Sequence, residues 1–167
     1  MAQLTKADRV DTVLEQWKRE RPDLDVEPMG IIGRISRAER LIEDRINAVC
    51  SEFQLERWGF DVLATLRRAG KPYELAPTQL FRSLLRTSGT MTNRIDRLEA
   101  AGLVERRPDR ADRRAIKVAL TKSGLKLIDR AVAAHMEVEG AMIASFSVED
   151  RARFAGLLRV LLQYLEA

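Results

Sequence analysis

Residues 76–124 constrain the fold more than any other stretch, because the pattern of the chain changes three times within them. Pro77-Thr78-Gln79-Leu80 predicts the start of a short helix, with Pro77 in the first turn, where a missing N–H costs nothing. Ser88-Gly89-Thr90-Met91-Thr92-Asn93-Arg94 predicts a second helix, whose free backbone donors Ser88 can cap. Its apolar residues Met91, Ile95, Leu98 and Ala101 keep helical spacing and predict a face turned to a core. The opposite face carries Thr90, Thr92, Asn93, Arg94 and Arg97, and Ser88 stands at its head. Such side chains can hydrogen-bond base edges or phosphates. Gly102 suits the position just past a helix end.

Two short β runs follow, 103–107 and 115–120, and the second alternates as a half-buried strand should. The connector between them, 108–114, is too polar for a core and holds Arg110, Arg113 and Arg114. Helix, helix, then a basic hairpin is the order of a winged helix-turn-helix. A helix sized for a major groove and an arginine-tipped loop make two contacts on one duplex. Either piece alone reads as an ordinary amphipathic helix or a solvated loop. Together, in this order, they point to DNA.

The residues also carry a family resemblance. Asp112-Arg113-Arg114 followed by Val118-Ala119-Leu120-Thr121-Lys122-Ser123-Gly124 resembles the wing of the MarR family of transcriptional regulators. The run from Ser88 to Ile95, with Leu98-Glu99-Ala100-Ala101-Gly102-Leu103-Val104, is similar to that family's recognition helix and its exit. The resemblance spans nearly the whole chain. It implies a homodimer on a pseudo-palindromic operator, released in many members by a small molecule.

The 167 residues suit one domain with dimerising arms. A hydrophobic content of 46% supports a core, and an aromatic share of 5% predicts that Leu, Ile, Val and Ala fill it. The net charge of +4 is too mild to argue for nucleic acid, but arginine is dense between Arg82 and Lys117, where DNA binding needs it. A single cysteine, Cys50, excludes an internal disulfide and cysteine-based zinc sites. With no bilayer-length apolar run and no signal-peptide core, the expectation is a soluble cytoplasmic protein.

Taken in order, residues 7–20 predict an amphipathic helix with Val10, Val13, Leu14 and Trp17 on one stripe. Arg21-Pro22 ends it. A long helix over 29–53 carries Ile31, Ile32, Ile35, Leu41, Ile42, Ile46 and Val49, with Gly30 and Gly33 placed for close helix approach. Another covers 56–69 and breaks at Gly70-Lys71-Pro72. Two late helices cover 122–145 and 148–166; Ser147 caps the second, and Glu149 and Asp150 favour its first turn. Its stripe of Phe154, Leu157, Leu158, Leu161, Leu162 and Leu165 needs a partner surface, and a dimer interface is favoured over packing within the subunit. The division expected is 1–27 as an extra helix and linker, 28–55 and 121–167 as dimerisation helices, and 56–120 as the winged domain.

Enzyme chemistry finds no support. His135 has no second histidine with which to share a metal, no nucleophile elbow surrounds a serine, and Ser88-Gly89-Thr90 lacks the lysine of a phosphate loop. No catalytic residue, metal or cofactor is expected, and His135 reads as structural. Cys50 lacks a clear electropositive setting, so its default is an inert thiol.

A second constellation follows from the resemblance. Trp17, Asp61, Arg94 and Arg106 resemble the ligand-binding set of the urate-responsive MarR subgroup. A planar purine anion suits an aromatic wall and arginines that donate paired hydrogen bonds. Each residue alone has a plainer role: Trp17 anchoring the arm, Asp61 pairing with an arginine, Arg94 and Arg106 touching phosphate. The four together favour the ligand. The expectation is therefore a mainly α winged helix-turn-helix repressor, partnered by double-stranded DNA, a second copy and a small anion such as urate. The alternatives are another organic anion, oxidation at Cys50, or ligand-independent DNA binding.

Overall fold

The computed structural model describes residues 6–84, 91–109, 112 and 115–167, with Met91 as backbone only. The chain forms two compact units, one of Met1–Asp44 with Glu139–Ala167 and one of Arg45–Val138. Among the described residues are seven helices and three strands: α1 (Arg9–Glu20), α2 (Glu27–Glu52), α3 (Arg57–Arg68), β1 (Glu74–Leu75), α4 (Pro77–Ser83), α5 (Met91–Ala100), β2 (Val104–Pro108), β3 (Ile116–Leu120), α6 (Lys122–Met142) and α7 (Val148–Leu165). This is the mainly helical winged-helix class that the sequence predicts.

In the first unit, Asp8 caps α1 by accepting from the backbone of Val10 and Asp11, while Asp11 accepts from the backbone of Asp8. Val10 and Leu14 seat α1 on the two glycines of α2. A β-carbon on Gly30 would lie 3.1 Å from Leu14 Cδ1, and one on Gly33 would lie 3.4 Å from Val10 Cγ1. Close approach is thus what these glycines allow. Arg34 of α2 ties the pair by donating to Asp8 and Asp11. The expected α1 stripe is only partly covered, for Val10 is buried while Val13 and Trp17 are exposed.

The last helix is not buried within the subunit. Ser147 caps α7 as the sequence predicts, yet no residue of α7 is buried; Phe154, Leu157, Leu162 and Leu165 are exposed and Leu158 and Leu161 half-covered. On α2, Ile31, Ile32, Leu41 and Ile42 are likewise exposed, and only Ile46 and Val49 of the predicted set are buried.

The second unit holds a dense core. Val62, Leu63 and Leu66 of α3, Leu80 of α4, Val118 of β3 and Ile128 of α6 are fully enclosed. Burial of each large side chain contributes about 1.5–3 kcal/mol relative to exposure. Pro77 opens α4 as predicted, and the Gln79 side chain accepts from the backbone of Ala76 at 3.1 Å. The sheet runs β1-β3-β2, all antiparallel. β1 is absent from the sequence expectation; it pairs Glu74 with Ala119 and Leu75 with Val118. Pro108 ends β2 opposite Ile116 on an edge strand, where its missing N–H leaves no gap in the ladder.

Gly102 leaves α5 with φ +70, a left-handed value that glycine adopts at no steric cost. Its carbonyl accepts from the Thr121 hydroxyl at 2.7 Å and the Ser123 hydroxyl at 2.8 Å, which ties the exit of α5 to the entry of α6.

Candidate nucleic-acid interface

α5 packs through Ile95 and Leu98, which are 3% and 4% exposed. Ala101, predicted to share that face, lies past the helix end and is exposed. At about 100° per residue, Arg94 and Arg97 fall on one edge of α5 and Asp96 and Glu99 on the opposite edge. Thr92 and Asn93 are exposed.

Each charged edge meets a neighbour of complementary chemistry. On one side stands Trp58 of α3, with the Arg94 and Arg97 guanidinium carbons 5.7 and 4.9 Å from its ring centroid. Glu56, just before α3, accepts from both the Trp58 indole N–H and the Arg97 guanidinium. The indole hydrogen bond, then that of Arg97, holds the Glu56 carboxyl below its ordinary range. On the other side stands Arg106 of β2, which donates to Asp96 and Glu99, while its backbone N–H donates to Glu99 Oε1 at 2.9 Å. The hydrogen bond to Asp96, followed by that to Glu99, raises the Arg106 pKa. Further along the wing, Glu74 of β1 lies 3.9 Å from Arg107 and 3.6 Å from Lys117, and Lys117 lies 3.4 Å from Asp109.

These contacts place the sequence-predicted residues. Thr92 and Asn93 are open for contact; Arg94 is half-buried against Trp58; Arg97 is exposed but paired. Ser88, Thr90, Arg110, Arg113 and Arg114 lie outside the described residues. Of the ligand set, Asp61 pairs with Arg57 one turn away at 3.2 Å, and Arg106 is engaged by two carboxylates of α5. Trp17 belongs to the other unit and is 41% exposed. A cleft of about 130 Å³ lies between α3 and α5, lined in part by Glu56, Trp58, Gly59, Arg97 and Leu98. A wider cleft of about 400 Å³ lies in the first unit, lined in part by Leu14, Lys18, Leu24 and Ile31. None of the four predicted ligand residues lines either cleft.

Glu56 and Trp58 are the site residues that sequence reasoning misses. Trp58 reads as one more apolar residue of an amphipathic helix, and nothing in spacing shows that it borders α5.

A model of the MarR family matches residues 53–115, from just past α2 to the residue before β3. The HTH-type transcriptional regulator PecS of Dickeya dadantii is 44% identical over 149 residues, covering 89% of this chain and 90% of that protein. The chain belongs to the MarR family. Solved MarR-type structures share its fold, among them a mutant MarR from Escherichia coli complexed with operator DNA (24% identity, TM-score 0.68, covering 82% of this chain and 95% of that one). Another is an organohalide-sensing transcriptional regulator in its 2,4-dichlorophenol-bound form (18% identity, TM-score 0.71, covering 98% and 89%).

As a MarR-family protein the chain is a DNA-binding transcriptional regulator and not an enzyme. Its single histidine is structural, buried and stacked on Phe60 with ring centroids 4.8 Å apart. Cys50 is 1% exposed, and burial pushes its thiol pKa up. A redox sensor needs an accessible thiol with a lowered pKa, so the oxidation alternative loses its footing. Among the described residues, no helix is long and apolar enough to cross a membrane.

Proposed function

We propose that this MarR-family protein is a homodimeric repressor that sets α5 in the major groove of an inverted-repeat operator. The wing reaches the adjacent backbone, and a small planar anion, with urate as first candidate, releases the complex. The observation that carries the DNA half is the surface of α5, where Thr92 and Asn93 stand exposed as uncharged hydrogen-bonding groups. A structure of the same fold, a mutant MarR complexed with operator DNA, supports duplex DNA as the partner. Arg94 and Arg97 of α5 extend the proposed contact, and Ser88, Thr90, Arg110, Arg113 and Arg114 complete the proposed DNA-binding set. Half-sites then lie about one helical turn apart, roughly 34 Å.

The uncovered apolar faces of α2 and α7 support the dimer, with 28–55 and 121–167 as the dimerising segments, 56–120 as the reading domain and 1–27 as an added arm. Effector response is supported by the dichlorophenol-bound relative and by the place of Arg94, which attaches any anion it binds to the reading helix itself. Trp17, Asp61, Arg94 and Arg106 form the proposed ligand set. Ligand at Arg106 has to compete with Asp96 and Glu99, so binding and the seat of α5 are energetically linked. A coupling of roughly 5- to 150-fold in operator affinity is typical of such linkage.

Calorimetry with urate and xanthine on wild type, Asp61→Asn and Trp17→Ala, beside gel shifts with added ligand, tests the effector. Asp61→Asn keeps DNA binding and blunts release, while Trp17→Ala weakens ligand binding. A wild type that binds no purine, with an operator complex that ignores millimolar urate, leaves the DNA reading standing and removes the inducer.

A further inference from the structure

We infer that Glu56 is a specificity-determining residue for DNA, an internal stand-in for a phosphate that keeps Arg97 from binding duplex unless α5 is fully seated. This rests on the placement of α5 in the groove proposed above.

The geometry has three parts. Trp58 supports the Arg97 guanidinium through its ring face, 4.9 Å from the centroid, a contact indifferent to which anion the guanidinium holds. Glu56 holds that guanidinium as an anionic oxygen of a phosphate would. The Trp58 indole N–H donates to Glu56 as well, so the carboxylate keeps a partner when Arg97 leaves it. Exchange of one anion for another therefore strands neither the cation nor the carboxylate. Both Arg97 and Glu56 are 56% exposed at the side chain, which leaves the pair open to an arriving phosphate.

The consequence differs between two kinds of complex. A loosely docked, sequence-independent complex is held by counterion release from phosphate contacts. With Arg97 spent on Glu56, that complex lacks one cation. In the operator complex, base contacts seat α5 and bring a phosphate to Arg97, which then leaves Glu56. Glu56 thus weakens binding that relies on backbone charge alone and widens the gap between operator and bulk DNA. Its effect passes through Arg97, so it is a positioning residue.

The test compares wild type, Glu56→Gln, Arg97→Ala and the double variant. Each is titrated against a labelled mixed-sequence duplex and against an operator duplex recovered by in vitro selection, over a range of salt. Glutamine keeps an acceptor for the indole N–H while removing the charge. On the mixed-sequence duplex, Glu56→Gln is expected to bind roughly 2- to 5-fold tighter, the scale of an exposed ion pair, with a salt slope steeper by about 0.9. Arg97→Ala alone is expected to weaken binding to that duplex, because the Glu56 carboxylate is left facing phosphate without its cation, and the double variant returns to wild-type affinity and slope. On the operator the gain from Glu56→Gln is smaller, so the specificity ratio falls. An unchanged slope in Glu56→Gln, or a gain that survives in the double variant, overturns the role of Glu56 while α5 keeps its place in the groove. A wild type that binds both duplexes alike, and is indifferent to Asn93→Ala, overturns the placement of α5 and this inference together.

Discussion

The carbonyl oxygen of Leu103 fills the space that a side chain on Gly124 would need: a β-carbon there would lie 2.0 Å from it. The obstacle is backbone at the entry to β2, so a larger residue has to push α6 away from the wing. Gly124→Ala is expected to destabilise the protein by about 1–3 kcal/mol, the usual cost of overpacking. At this chain length that corresponds to a melting temperature lower by about 2–4 °C per kcal/mol. Gly156 lies mid-helix with open space around it, so Gly156→Ala should instead raise the melting temperature. Differential scanning calorimetry of the two variants distinguishes a steric effect from loss of glycine as such.

Removal of Arg106 leaves two carboxylates of α5, Asp96 and Glu99, without their shared cation. Both then face incoming phosphates. Arg106→Ala is expected to weaken operator and mixed-sequence DNA together, because the harm is electrostatic. Asp96→Asn with Glu99→Gln in the same background should recover a measurable part of the loss. Fluorescence anisotropy at two salt concentrations checks this, and no recovery would assign Arg106 a direct contact instead.

Leu157 and Leu165 of α7 are 62% and 67% exposed in the single chain. Aspartate at both positions should yield monomer in sedimentation velocity. Operator affinity should then fall by roughly 10²-fold or more, since linked half-site binding is lost. An intact dimer would move the interface away from α7.

Burial raises the Cys50 pKa, and the sign of its pH effect follows. Below the ordinary thiol value, near about 8.5, both folded and unfolded chains keep the proton and the stabilising contribution is whole. As pH climbs past that value the unfolded thiol ionises first, so stability falls toward the raised folded pKa. Cys50→Ala should flatten the loss of stability measured by urea melts between pH 7.5 and about 10. Native protein should also resist iodoacetamide until it is unfolded.

Much of this was legible in residue order. Ile95 and Leu98 announce the inner face of α5 by spacing, Gly102 announces its end, and the alternation of 115–120 announces β3. β1 was not legible, because two residues after a turn carry no period. The fate of α7 was only half legible: a leucine stripe demands a cover but does not say whether it comes from the same chain. The contacts around α5 were least legible. Arg97 meets Glu56 and Arg106 meets Asp96 across segments whose approach is set by the folded core, whereas side-chain type assigned Arg97 to DNA and the family resemblance assigned Arg106 to ligand.

The division of labour along α5 bears on how such a regulator can diverge. Arg94, Asp96, Arg97 and Glu99 each engage another part of the protein, whereas Thr92 and Asn93 stand in solvent. A duplicated gene can therefore exchange those two codons and leave every contact that seats the helix untouched. Its product folds as its parent does and drifts toward a new promoter without passing through an unstable intermediate.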